Sequence, residues 1–211
     1  MKTKSAISVI FFTVVLDITV IGIIFPIMPD LLQELGITSV SEAALWGGIL
    51  STSYAIMQFL CSPVIGSASD AIGRRKIILI ALFALSIDYL ILGFSQTLWI
   101  LILGRIVAGV AGGTVPTATA YLADVSAPSE RTKNFGIIGA AFGVGFIMGP
   151  ALGGILGEFS SRAPFFLSAI LTAFNFILGY FVLPESLGFE NRRPFTLMSA
   201  NPFLTIWRAF L

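Results

Sequence analysis

Three charges lie inside long apolar runs of this sequence: Asp17, Asp88 and Arg105. Placing a charge at mid-membrane costs about 2.5–3.5 kcal/mol on insertion scales, so such a residue faces a partner or a watery cavity. Desolvation favours the protonated form of a carboxylate, and a neighbouring guanidinium favours the charged form. A carboxylate held between those influences can take up and release a proton near neutral pH. The same side chains could instead form a static Asp–Arg pair that only holds helices together. A second charged group is the stretch GSASDAIGRRK at 66–76, with Asp70, Arg74, Arg75 and Lys76 in a chain that is only 11% charged.

Mid-membrane chemistry needs elements that cross a membrane, and the composition supplies them. The chain is 56% hydrophobic with nineteen phenylalanines and a mean hydropathy of +0.97. Apolar runs fall at about 7–29, 45–66, 77–95, 98–122, 134–157 and 164–183. Each can span a hydrocarbon core of about 30 Å at 1.5 Å per residue. Backbone polar groups in lipid must be satisfied internally, so only helices or closed barrels cross. The runs lack the period-2 alternation of barrel strands. The expectation is an all-α integral membrane protein with six transmembrane helices over 1–187, followed by a cytoplasmic tail at 188–211. The first run is too long for a cleaved signal peptide, holds Asp17 and Pro26, and lacks a small-x-small exit site.

Loop charges set the orientation. With a cytoplasmic N-terminus, the inside collects Lys2, Lys4, Arg74, Arg75, Lys76, Arg131, Lys133, Arg192 and Arg193, and the outside keeps only Arg162. The positive-inside rule then places both termini in the cytoplasm, in a multi-pass protein of the cell (inner) membrane. The sequence holds no histidine and one cysteine, Cys61. That excludes a disulfide framework and argues against any metal site or cofactor. A net charge of +1 argues against a nucleic-acid partner. No nucleophile–base pair or phosphate loop is visible, so the chain is not expected to be an enzyme.

The stretch at 66–76 is then the turn between the second and third helices. An orientation anchor with a glycine turn explains Gly73 and the three cations. It leaves Asp70 unexplained, because a carboxylate at a helix C-terminus opposes that helix's dipole and needs a cation or another helix's N-terminus. Gly66, Asp70, Gly73 and Arg74 also fit G-x-x-x-D-x-x-G-R, the cytoplasmic-loop signature of the major facilitator superfamily. Helix four, LILGRIVAGVAGG with Arg105, resembles that superfamily's fourth-helix pattern. Helix five, GVGFIMGPALGG, is similar to the G-P-x-x-G-G motif of proton-coupled antiporters. LDITVIGIIFPIMP, SIDYLILG, GRIVAGVAGGTVPTATAYLADVSAPSERTKNFG and APFF…LPES resemble the tetracycline efflux proteins, from about residue 10 to residue 187.

The resemblance implies roles. Asp17, Asp88 and Arg105 would couple substrate and protons. Gly66, Ser69, Asp70, Gly73, Arg74, Asp124 and Arg131 would form a cytoplasmic gate, with Asp124 paired to Arg74 and Asp70 reaching a helix end in a second half. Gly145, Gly149, Pro150, Gly153 and Gly154 would carry the antiporter motif. Gly145, Gly149, Gly153 and Gly157 lie on one stripe, where small residues let helices approach closely. Ala71 and Lys76 depart from the family pattern, which favours a basic residue and proline there.

The implied fold is the N-terminal half of a major facilitator, built from 3+3 inverted repeats. The implied activity is proton-coupled efflux of a drug such as tetracycline, a form of antibiotic resistance. Its energy source would be the proton gradient, and its cargo the drug or a drug–divalent cation chelate. The chain stops at Leu211 after one half, so a second six-helix half or a second copy is the expected partner, within the lipid bilayer. Two alternatives remain open from the sequence: a facilitator of a sugar or metabolite, and a non-transporting fragment.

Overall fold

The computed structural model describes residues 2–196 and 201–202. Among these, seven α-helices follow one another without a strand. They are α1 (Lys2–Glu34), α2 (Val40–Ile72), α3 (Arg74–Gly93), α4 (Leu98–Ala111), α5 (Thr114–Val125), α6 (Arg131–Gly157) and α7 (Ala163–Val182). Helices α4 and α5 share one span, Leu98–Val125, which gives six segments long and apolar enough to cross a membrane. Of the tail expected at 188–211, residues 197–200 and 203–211 lie outside the described residues. The described part opens with a single 3-10 turn, Phe189–Asn191.

The break in the fourth span has a local cause. Pro116 has no N–H to offer the carbonyl of Gly112 one turn earlier. That carbonyl accepts instead from Gln58 Nε2 of α2, at 3.3 Å. Two adjacent glycines, the weakest helix formers after proline, complete the interruption. Elsewhere helices outrun their apolar cores. Helix α1 continues through Pro26 and Pro29. Helix α2 continues six residues past Gly66, where the Ser69 hydroxyl donates to the Gly66 carbonyl at 2.7 Å. Gly73 is therefore the whole turn between α2 and α3.

Close packing between helices rests on glycine. A Cβ on Gly149 would stand 2.7 Å from Gly22 Cα and from the Thr19 carbonyl of α1, and one on Gly145 would stand 2.8 Å from the Val15 carbonyl. Helix α6 thus lies backbone to backbone on α1, the small-residue contact that lipid-embedded helices favour. On α4, a Cβ on Gly109 would stand 2.6 Å from the Tyr54 carbonyl of α2. Two apolar clusters form the core. One gathers α1 up to Ile18 with Tyr121, Leu122 and Ile138, and the other gathers α1 from Val20 on with Leu85, Tyr89 and Phe165. Asp17 sits at the seam between them.

Candidate transport site and cytoplasmic latch

At the rim where α2 meets α3, Gly73 turns the chain with φ 111°, a conformation that glycine adopts freely and other residues rarely do. Arg74 follows at once. Its Nη1 lies 2.7 Å from Asp70 Oδ1 and donates to Ser69 Oγ at 2.8 Å, and its Nε lies 2.9 Å from Asp124 Oδ2. Gly73, Ser69, Asp70, Arg74 and Asp124 are thus brought together. Asp70 meets the cation it needs one turn along, at Arg74. Gly66 stays inside α2 with open space beside it, and Arg131 is exposed at the start of α6, apart from this network.

The segment after α7 closes the rim. Glu185 Oε1 accepts from the backbone N–H of Arg74 at 2.9 Å and of Arg75 at 3.4 Å, placing a carboxylate on the positive end of α3. Ser186 Oγ donates to Asp124 Oδ2 at 3.0 Å, and the Tyr121 hydroxyl donates to the Pro184 carbonyl at 2.8 Å. Glu185 and Ser186 are not identifiable as site residues from sequence. The LPES stretch that holds them carries only a family resemblance, and a cap supplied 111 residues downstream leaves no local signal.

In mid-membrane the arrangement is the reverse. Asp17 is 8% exposed and Asp88 4%, and Arg105 is half-buried. The ion pairs among the described residues involve Arg74 and Arg162, so none joins Asp17, Asp88 and Arg105 within 4.0 Å. Asp88 Oδ2 and Arg105 Nη2 are buried without a hydrogen-bond partner. Arg105, Tyr54 and Tyr89 line a cavity of about 490 Å³ whose walls come mainly from the second half of α1 and the first half of α2, among them Ile24, Met28 and Leu50. Asp17 lines a second cavity of about 30 Å³ with Tyr54, Gln58, Thr114 and Thr172. Gln58 Nε2 donates to the Tyr54 hydroxyl at 3.2 Å. Tyr54, Gln58, Tyr89 and Thr172 do not stand out in the sequence, because uncharged polar residues in an apolar run carry little signal alone.

The glycine motif divides between two faces of α6. Gly145, Gly149 and Gly153 are buried against α1, whereas Gly154 has open space beside it and Pro150 is exposed, with its ring edge near Gly22. Among the described residues no group of three His, Cys, Asp or Glu side chains is placed to hold a metal ion.

The comparisons with known proteins agree with this architecture. The chain is 45% identical to the tetracycline resistance protein, class C, of Escherichia coli over 96% of its own length and 50% of that protein. It is 31% identical to the quinolone resistance protein NorA of Staphylococcus aureus (strain MRSA252), over 96% of this chain and 51% of that one. The crystal structure of the human organic anion transporter MFSD10 (TETRAN) superposes with a TM-score of 0.81 at 27% identity, covering 92% of this chain and 50% of that one. The chain spans about half the length of the curated relatives it matches. The family model of the Major Facilitator Superfamily matches residues 10–211. With six membrane-length helices arranged as half of that fold, the chain belongs to the Major Facilitator Superfamily.

Proposed function

We propose that this chain supplies one six-helix half of a proton-coupled drug exporter of the tetracycline-resistance kind, completed by a second half or a second copy. The observation that carries the reading is that Asp88 Oδ2 and Arg105 Nη2 are both buried without a partner, while the Arg105 side chain lines the 490 Å³ cavity. A fixed structural pair would satisfy both groups. A carboxylate that must gain and lose a proton is left free to do so. Asp17 serves the same purpose from the second cavity. The Arg74–Asp124 contact acts as part of a cytoplasmic latch, in which Gly66 and Arg131 make no contact with either side chain. The cargo is a drug or its chelate with a divalent cation, driven by the proton gradient, with no covalent chemistry. The protein lies in the inner membrane with both termini in the cytoplasm. Identity to tetracycline and quinolone resistance proteins supports this reading over a sugar or metabolite facilitator.

The test is co-reconstitution with a second six-helix half, taken from the class C relative, in proteoliposomes. Tetracycline movement should follow an imposed pH gradient and stop with a protonophore. Drug movement indifferent to the gradient would sink the coupling. No movement by a correctly assembled pair would favour the non-transporting reading.

A second reading, carriage of an organic anion, is favoured by Arg105, the one charged residue lining a mainly apolar cavity. The structural neighbour is itself an organic anion transporter. Competition between tetracycline and an aromatic carboxylate in the same vesicles separates the two.

A further inference from the structure

A carboxylate buried in a lipid-embedded bundle needs a compensating positive charge. Asp17 is 8% exposed, and among the described residues it takes part in no hydrogen bond or ion pair. Arg105 lines the larger cavity and not the smaller one. What Asp17 faces instead is space. The cavity of about 30 Å³ exceeds the roughly 10–15 Å³ that one water-sized sphere occupies.

The walls of that space have a definite polarity. Thr114 donates its hydroxyl proton to the Ala111 carbonyl at 3.2 Å, and Thr172 donates its own to the Ser168 carbonyl. Both Gln58 amide donations are committed as well, to the Tyr54 hydroxyl and the Gly112 carbonyl. Each of the three side chains therefore keeps unused oxygen lone pairs, two hydroxyl oxygens and one amide oxygen, on residues that line the cavity with Asp17; Tyr54 and Tyr89 line the same space. One carboxylate ringed by neutral oxygens is the complement of a small hard cation. A single negative charge balances a single positive one. Divalent ions are disfavoured, since Ca²⁺ takes 6–8 oxygens and Mg²⁺ keeps several of its own waters.

We propose that this cavity binds a small monovalent cation of the sodium class, held by the Asp17 carboxylate with oxygens of Gln58, Thr114 and Thr172. The site joins α1, α2, α5 and α7 within one six-helix unit. It shares Asp17 with the export reading but needs neither drug nor second half, so the two are tested separately. It gives α7 a direct hold on the ionisable residue of α1.

The experiment is equilibrium binding of radioactive sodium to the purified full chain in alkaline choline buffer, with folding of each variant checked by circular dichroism and gel filtration. Saturable binding is expected, displaced by unlabelled sodium or lithium. Asp17→Asn should abolish it. Thr114→Val and Thr172→Val should each weaken it about tenfold, and Thr114→Ser and Thr172→Ser, which keep the hydroxyl, should restore it. Absence of saturable binding to the folded chain overturns the proposal. So does undiminished binding by Asp17→Asn or by the valine variants, the latter meaning a water-filled cavity and an ion held elsewhere. Should a valine variant fail to fold, thermal unfolding decides. Sodium should raise the Tm of the chain relative to choline, and a rise that is absent, or that survives Asp17→Asn, rejects the site. Tetracycline binding in choline, measured on the same preparation, keeps this outcome separate from that of the export reading.

Discussion

Arg74 at the rim of the bundle and Arg105 inside a membrane-length span carry the same guanidinium into opposite surroundings. Arg74 is saturated by Asp70, Ser69 and Asp124, all within 3 Å of its side chain. Arg105 keeps Nη2 buried and unpartnered, and Asp88 keeps Oδ2 the same way. The rim, where water is near, could tolerate an idle charge at little cost, yet it leaves none of the Arg74 network idle. The interior, where an idle charge is expensive, keeps three. Between these two sets pairing tracks the role of each charge, although Arg75 Nε and Arg192 Nε at the rim also lack a partner. Those at the rim fix the ends of α2, α3 and α5, and those in the interior are kept available.

The sharpest way to break this contrast is to neutralise the interior. In the reconstituted pair, Arg105→Ala or Asp88→Asn should lower proton-driven export about 100-fold or more, in line with the loss of a proton-transfer group. Thermal stability in detergent should hold or rise, since an unpartnered buried charge is removed. A variant that unfolds early yet still exports would place these charges among the structural ones.

Next in size is the rim. Arg74→Ala removes two ion pairs and a hydrogen bond from a side chain that is 13% exposed, and should cost about 1–2 kcal/mol of stability. Arg74→Lys keeps the charge without the fork and should recover less than half of it. Denaturant titration of the purified chain reads both, and a silent Arg74→Ala would reduce the network to a solvated face.

The smallest effect concerns the α3 cap. Glu185→Gln keeps an acceptor for the Arg74 and Arg75 N–H groups but loses the charge, and should cost about 0.5–1 kcal/mol. Glu185→Ala should cost more. The penalty of Glu185→Gln should shrink as salt is raised, because charge is what it removes. A penalty insensitive to salt would make the contact a plain hydrogen bond.

Much of the fold was legible because membrane helices announce themselves by length: all six apolar runs reappear as helical spans. Their ends were less legible. Helix α2 reaches Ile72 through Ser69 and Asp70, polar residues that a hydropathy reading discards. The kink at Gly112–Gly113 depends on Gln58, an amide on another helix that takes over a carbonyl Pro116 cannot serve. The glycine spacing in α6 put Gly145, Gly149 and Gly153 on one stripe, but only packing shows that the stripe lies on α1. For the site, the charged residues stood out against lipid-like neighbours. Thr114, Thr172 and Gln58 did not, since their importance comes from three helices meeting beside a fourth.

The cap on α3 bears on how the protein is made. Arg74 and Glu185 are 111 residues apart, so the third helix leaves the ribosome long before its carboxylate exists. Until α7 and the segment after it have been synthesised, the start of α3 has nothing from Glu185 to bind. The facing ends of α2 and α3 therefore settle only after α7 is made, and biogenesis closes the rim around Gly73 late.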